Sequence, residues 1–416
     1  MSALASPSTP LELSRATIRE RDAAPAAAQP YAGLSGAALA LTSLVRSVDA
    51  APAVRLVLAE FDPAQVFAGV HTALRAADGL AERLRLPLHI IVLSEAIGTG
   101  RHDSILDAVV GRLGRDRSRT SVLTREGLAQ ANTHPDDVWV ATHWTTAHPL
   151  HVAARAGVIN PARVVYLVQD HEPGFAALST DRVTASGTYR AGFHLLVNSE
   201  PVAAVLRAAE GVTVHAAAVF APDLDLDRLA AIAAQRASGD PTARPVTVFF
   251  YGRPTKPRNL FALGIAALRV AALALPGMTV RWVSAGEQHR DVDLGGGHRL
   301  ESRGTLGWDE YFALLGECDV ALALQASPHP SHPPLEAALS GALAVTNEVA
   351  GTRASLHSRL LAFDPDPAAL GAAVAEAVRA ADTRTATAQP PATIPEWGRT
   401  MASALDAVAA VLRPHQ

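Results

Sequence analysis

Two doubly wound α/β domains in tandem are the fold class that this sequence predicts, and three observations lead there. From Val54 onward, short β-type apolar runs alternate with longer Ala/Leu-rich helical stretches, the pattern of parallel sheets covered by helices. The alternation breaks at Ala234 to Pro245, where Gln235, Ser238, Gly239, Asp240 and two prolines interrupt it, and then restarts. A length of 416 residues also exceeds what one hydrophobic core usually serves. The expected order is a disordered leader over 1–45, an N-terminal domain over 46–235, a C-terminal domain over 246–390 and a closing helix over 396–416.

Each element has its own warrant. The leader is rich in Ala, Pro and Ser, with Arg15, Arg19 and Arg21 scattered through it, and lacks the apolar core and cleavage site of a secretory signal. Strands are expected at Val54 to Ala59, Leu88 to Leu93, Val138 to Ala141, Val164 to Val168 and Phe193 to Val197, each ending in polar or small residues. After the break come strand Val246 to Tyr251, helix Asn259 to Ala274, strands Thr279 to Ser284 and His298 to Ser302, helix Trp308 to Gly316 and strand Val320 to Leu324. A rigid Ser/His/Pro loop, a short helix around Glu336 to Ser340, strands Ala342 to Thr346 and Leu360 to Phe363, and a helix from Pro367 to Arg379 complete the domain. A Thr/Pro-rich stretch, Asp382 to Pro395, precedes a last helix from Trp397 to Leu412. Such units bind ligands at the carboxyl ends of their strands, which for a tandem pair means a cleft between the domains.

Composition removes several function classes. A net charge of −4 offers no basic face for a nucleic-acid backbone. The single cysteine, Cys318, excludes an intrachain disulfide framework and reads as a core residue, in keeping with a cytoplasmic location. No apolar run approaches the roughly 18 to 20 residues of a membrane span, and Leu41 to Val45 permits peripheral attachment at most.

Chemistry concentrates in a few places. In Tyr251-Gly-Arg-Pro-Thr-Lys-Pro-Arg-Asn259, Gly252 allows a sharp turn, while Arg253, Lys256 and Arg258 bring cations beside a helix N-terminus, making a diphosphate cradle; the alternative is a solvated basic loop. Glu336, behind Ser327-Pro-His-Pro-Ser-His-Pro-Pro334, is placed to accept hydrogen bonds from ribose hydroxyls; the alternative is a helix-start glutamate favoured by the dipole. In Gln169-Asp-His-Glu172, Asp170 and His171 are candidates to orient or deprotonate an acceptor hydroxyl and Glu172 to bind acceptor hydroxyls, with capping carboxylates as the alternative. His143, after Val138 to Ala141, is a further acceptor-side candidate. His329 and His332 have metal-pair spacing without further ligands, and the aspartates at 223, 225, 227, 291 and 293 read as loops or helix starts, so no metal is expected.

The basic turn, the Val320 to Leu324 strand and Pro334-Leu-Glu-Ala-Ala-Leu-Ser-Gly341 running into Val345-Thr-Asn347 resemble the nucleotide-sugar domain of GT-B retaining glycosyltransferases of the family 4 type. Phe250-Tyr-Gly-Arg-Pro254, His329-Pro-Ser-His-Pro-Pro-Leu-Glu336 and Gln169-Asp-His-Glu-Pro173 are most similar to bacterial rhamnosyltransferases of surface-layer and rhamnan glycan synthesis. The resemblance covers about residues 54 to 380. It implies an acceptor-side N-terminal domain and a nucleotide-sugar C-terminal domain. Arg253 and Lys256 would meet the donor diphosphate and Glu336 the ribose, with Gly252, Asn259, Ser331 and His332 in the donor site. Gly69 and Thr72 match the family's glycine loop near the donor phosphates. Where the family commonly carries a glutamate eight residues before Glu336, this chain has Pro328. The implied reaction moves a sugar, L-rhamnose from dTDP-rhamnose, to a glycan or glycolipid hydroxyl with retention, without cofactor. A nucleotide-sugar epimerase or hydrolase, and a non-catalytic nucleotide-sugar or glycan-binding subunit, are the rivals.

Overall fold

A computed structural model describes residues 27–31, 34, 37–63, 68–94, 99–125, 127–128, 131–238, 244–382 and 399–413. Most of the expected leader, the centre of the interdomain break, the Thr/Pro-rich stretch beyond Asp382 and Trp397 lie outside the described residues. The chain divides into two units, one running to Ala221 and including the C-terminal helix, the other starting at Pro222.

The first unit contains β1 (Val45–Arg46), β2 (Val54–Leu58), β3 (Leu88–Val92), β4 (Thr120–Thr124), β5 (Asn132–Thr133), β6 (Val138–Ala141), β7 (Val164–Val168), β8 (His194–Asn198) and β9 (Val219–Phe220). Its helices are α1 (Ala68–Leu84), α2 (Thr99–Leu113), α3 (Trp144–Arg155), α4 (Thr180–Thr188) and α5 (Glu200–Ala209). Seven parallel strands run in the order β4-β3-β2-β6-β7-β8-β9, and β1 pairs with β5 apart from them. Every residue of β2, β6 and β7 is buried, because helices cover both faces of the sheet. The strand order reverses between β2 and β6, which makes their carboxyl ends the switch point of this sheet.

The second unit contains α6 (Leu226–Ser238), β10 (Val246–Gly252), α7 (Phe261–Leu273), β11 (Val280–Gly286), β12 (Val292–Gly295), β13 (His298–Ser302), α8 (Trp308–Glu317), β14 (Val320–Leu322), α9 (His332–Leu339), β15 (Leu343–Asn347), β16 (Leu360–Phe363) and α10 (Pro367–Asp382). Its sheet order, β12-β13-β11-β10-β14-β15-β16, reverses between β10 and β14; β12 alone is antiparallel to its neighbour. α11 (Met401–Leu412) follows and packs on the first unit, burying Met401, Ala404, Leu405 and Val408 in its core. Arg83 holds α11 by donating to Asp406 at 2.7 Å and to the Ala402 carbonyl at 2.9 Å. Among the described residues no helix is long and apolar enough to cross a membrane.

Three expectations are corrected. The end of the leader is packed: Ala28, Ala38, Leu41 and Leu44 are buried, and Tyr31 sets its ring against His148 on α3 at 5.8 Å. Leu41 and Leu44 therefore serve the core. The N-terminal domain also ends before residue 235, because α6 belongs to the second unit. Leu229 is buried in that unit's core, and Arg236 donates to the carbonyls of Leu315 at 2.6 Å, Ser340 at 3.0 Å and Cys318. Third, α7 starts at Phe261 and not Asn259, since a 3-10 turn, Pro257–Asn259, and a left-handed Leu260 (φ 51°) intervene.

A buried ion pair fixes the entrance of the first sheet. Arg55 on β2 donates to Asp137 at 2.6 Å and to the Asn132 carbonyl at 2.9 Å, while Asp137 accepts the amides of Ala53 at 2.7 Å and His134 at 2.8 Å. Asp137→Ala would strand a guanidinium in the core. A loss of about 3–5 kcal/mol in unfolding free energy is expected, measurable by urea denaturation.

Candidate functional site

The carboxyl ends of β10, β14 and β15 meet at the switch point of the second sheet, and a buried polar network closes them. Asn259 donates from Nδ2 to Gln325 Oε1 at 3.0 Å, and Gln325 donates from Nε2 to Ser327 Oγ at 2.9 Å. Asn347, ending β15, accepts the Gln325 amide at 2.8 Å and donates to its carbonyl at 3.1 Å. Arg353, 0% exposed, donates to the carbonyls of Asn347, Gln325 and Ser327 at 2.7, 2.8 and 2.7 Å. Asn259, expected as a donor contact, is thus a buried strut of this network.

The basic turn rises from the end of β10. Gly252 is required by close approach and not by a sharp turn: a Cβ there would lie 2.3 Å from Ser284 Oγ and 3.2 Å from Phe261. Arg253 pairs with Glu287 at 3.4 Å and hydrogen-bonds Tyr251, while the Thr255 amide and hydroxyl donate to Glu287 at 2.9 and 2.7 Å. Burial alone would raise the Glu287 carboxyl, but the Thr255 bonds and the Arg253 and Lys256 charges hold it below its ordinary range. Lys256 is exposed and Arg258 half-buried. The Arg258 carbonyl accepts the Ala326 amide at 2.7 Å, joining the turn to the strand-end loop.

Glu336 lies within α9 and is 3% exposed. Tyr311, on α8, donates its hydroxyl to Oε2 at 2.5 Å, and His332 Nδ1 stands 4.0 Å from Oε1. Burial pushes the Glu336 carboxyl up to about 7, with the Tyr311 bond opposing and the Asp225 charge reinforcing the shift. Tyr251 feels the charges of both Arg253 and Glu336, so the two expected donor contacts belong to one cluster. Ser331 precedes α9 with φ 68° and its amide donates to His329 Nδ1 at 3.0 Å; burial and the charges of Arg353 and Arg258 lower His329 to about 4, so its ring is neutral. No group of three or more His, Cys, Asp or Glu side chains suited to a metal occurs among the described residues.

In the first unit, Glu172 is also 3% exposed. Its Oε2 accepts the Trp144 amide at 2.5 Å, at the N-terminus of α3, and the Tyr166 hydroxyl at 2.8 Å. Burial pushes it up to about 8. Glu172 thus caps α3 from within the core. His143, the N-cap of α3, keeps 39% of its side chain exposed, with Nε2 4.0 Å from Glu172 Oε2. His171 bonds Glu210 through Nε2 at 2.9 Å, and Asp170 accepts the His171 amide at 2.8 Å, so both are engaged within the fold. Gly69 and Thr72 lie in the first two turns of α1 and not in a loop. Thr72 is buried, and the Gly69 carbonyl accepts Gln169 Nε2 at 2.9 Å.

Sequence reasoning missed Tyr251, Glu287, Tyr311, Gln325 and Arg353. Tyr251 alone had a local signal, standing inside the basic motif; the others reach the site through tertiary packing.

Residues 53–199 match the family model described as the WsaF N-terminal domain, and residues 246–375 that of the WsaF C-terminal domain. Over 317 residues the chain is 30% identical to an O-antigen biosynthesis protein RfbC of Myxococcus xanthus, covering 75% of this chain and 23% of that protein. Among solved structures it resembles an α,α-trehalose 6-phosphate synthase of Burkholderia multivorans (TM-score 0.55, 12% identity, 87% of this chain and 98% of that one). A sucrose-phosphate synthase of Thermosynechococcus elongatus is similar at TM-score 0.51 and 13% identity, over 87% of this chain and 95% of that one. At these identities the likeness is one of fold. The chain thus carries, in order, both WsaF domains on the two Rossmann-like units of the GT-B glycosyltransferase fold.

Proposed function

We propose that this chain transfers a sugar, L-rhamnose from dTDP-rhamnose, to a hydroxyl of a glycan or glycolipid with retention of configuration. The observation that carries the reading is the cluster at the second sheet's switch point, where Tyr251 hydrogen-bonds Arg253 and feels the charge of the buried Glu336. Arg253 and Lys256 meet the donor diphosphate and Glu336 the sugar of the nucleoside. Tyr311 already fills Oε2 of Glu336, leaving Oε1 for one hydroxyl, which suits the 2′-deoxyribose of a dTDP donor with its single 3′-hydroxyl. That the Myxococcus relative is an O-antigen biosynthesis protein supports a glycan as product.

Chemistry in this reading consists of stabilising the departing diphosphate with fixed cations while the acceptor approaches on the same face. His143, partly exposed at the start of α3, is the residue proposed to meet the acceptor hydroxyl. An epimerase or hydrolase would need a proton-shuttling pair, and the candidates Asp170 and His171 are held by internal bonds.

Arg253→Ala should lower turnover roughly ten- to a hundredfold, as expected for a charge-assisted contact of about 1.5–3 kcal/mol. Nucleoside diphosphate release from dTDP-rhamnose with acceptor reads this out, and wild-type turnover in the variant would remove the cradle. Donor incubated without acceptor should yield no isomerised sugar; an isomer would favour the epimerase. Donor binding with no diphosphate released for any acceptor would make the chain a binding subunit.

A further inference from the structure

We propose that Tyr311 is the positioning residue for Glu336: its hydroxyl fixes one carboxylate oxygen in the ionised state and aims the other at the nucleoside's 3′-hydroxyl. This rests on the reading of Glu336 as the nucleoside contact.

The geometry leaves Tyr311 little freedom. Its ring stands edge-on to Phe249 at 6.2 Å and to Phe312 at 5.5 Å, within the core formed by α8, β10 and α9. The hydroxyl donates to Oε2 at 2.5 Å, the length of a charge-assisted bond. Tyr251 from β10, His332 from the same helix and Asp225 from the segment ahead of α6 also face Glu336. The Asp225 charge works against ionisation and the Tyr311 hydroxyl works for it. Removing the hydroxyl withdraws the donor that keeps the carboxylate available near neutral pH and frees the group to rotate.

The linkage has a definite sign. With the carboxyl at about 7, the ionised form prevails above neutrality and is lost as pH falls through that value. Recognition of a 3′-hydroxyl should follow the ionised fraction, whereas the diphosphate diester of a nucleotide sugar carries no titrating proton in that range. Loss of the Tyr311 donor moves the midpoint to higher pH.

The experiment compares dTDP-rhamnose with its 3′-deoxy analogue by calorimetry from about pH 6 to about pH 8.5 on the full chain, with Tyr311→Phe and Glu336→Gln beside the wild type. Wild type should prefer the 3′-hydroxyl by about tenfold at high pH and lose the preference through neutrality. Tyr311→Phe should shrink it to about threefold or less and shift its midpoint upward, leaving affinity for the 3′-deoxy analogue unchanged. If Glu336→Gln keeps the preference, the reading of Glu336 fails and the inference with it. If Glu336→Gln loses it while Tyr311→Phe keeps both preference and midpoint, the role of Tyr311 alone is overturned. Should Tyr311→Phe fold poorly, a wild-type preference that does not change with pH overturns the proposal without the variant.

Discussion

The candidate site of the second unit depends on one buried cation. Arg353 carries a full charge into the protein interior, which costs several kcal/mol before compensation. Carbonyl dipoles provide the offset, and each is contributed by a backbone that the site needs held still: Gln325 and Ser327 in the strand-end loop, Asn347 at the end of β15. The segment that delivers Arg353 is itself gathered by Glu348, whose carboxylate accepts the amides of Val349, Thr352, Arg353 and Ala354 at 2.7 to 3.1 Å. Beyond the pinned loop Ser331 has a positive φ and α9 begins at His332, which places Glu336 one turn further along and against Tyr311. Moving Arg353 would move the carboxylate.

The two units solve the same problem alike. Each has a glutamate close to the carboxyl edge of a parallel sheet, each is almost wholly buried, and each receives a tyrosine hydroxyl, Tyr166 for Glu172 and Tyr311 for Glu336. A phenol is a suitable partner because it donates one strong hydrogen bond while bringing a large apolar surface into the core. The difference lies in what else the carboxylate receives. Glu172 also takes the Trp144 amide at the start of α3 and so serves that helix; Glu336 gives Oε2 to Tyr311 and turns Oε1 toward His332.

The fold was legible because buried parallel strands write themselves as largely apolar runs: Val164-Val-Tyr-Leu-Val168, and Val54-Arg-Leu-Val-Leu58 interrupted only by Arg55, needed no tertiary information. β4, β9 and β12 were not, being polar, two residues long, or an edge strand closed by a glycine turn. For the site, the motif residues Arg253, Lys256 and Glu336 could be read because they are local to one turn or one helix. Burial could not be read: Glu172 and Asn259 have the side chains of ligand contacts and sit inside the protein. Tyr311 and Arg353 were invisible for the complementary reason, since they meet their partners 25 and 26 residues away in sequence.

The start of α9 also decides where the charge of a diphosphate can be met. A helix N-terminus ordinarily presents several free amides to an anion. Here the first turn reads His332-Pro333-Pro334-Leu335, and proline has no N–H, so two of those donors are missing. The dipole remains but its hydrogen-bonding edge is thinned. In the proposed reaction the developing negative charge therefore falls mainly to side-chain cations, and of these Arg253 is held in place by Glu287 and Tyr251. A guanidinium fixed before the donor arrives needs no reorganisation as charge develops, which is what makes such a cation effective. The prolines that stiffen the approach to Glu336 and the arginine bonded to Tyr251 are thus two parts of one arrangement: rigidity replaces backbone donors, and a preorganised side chain replaces their charge.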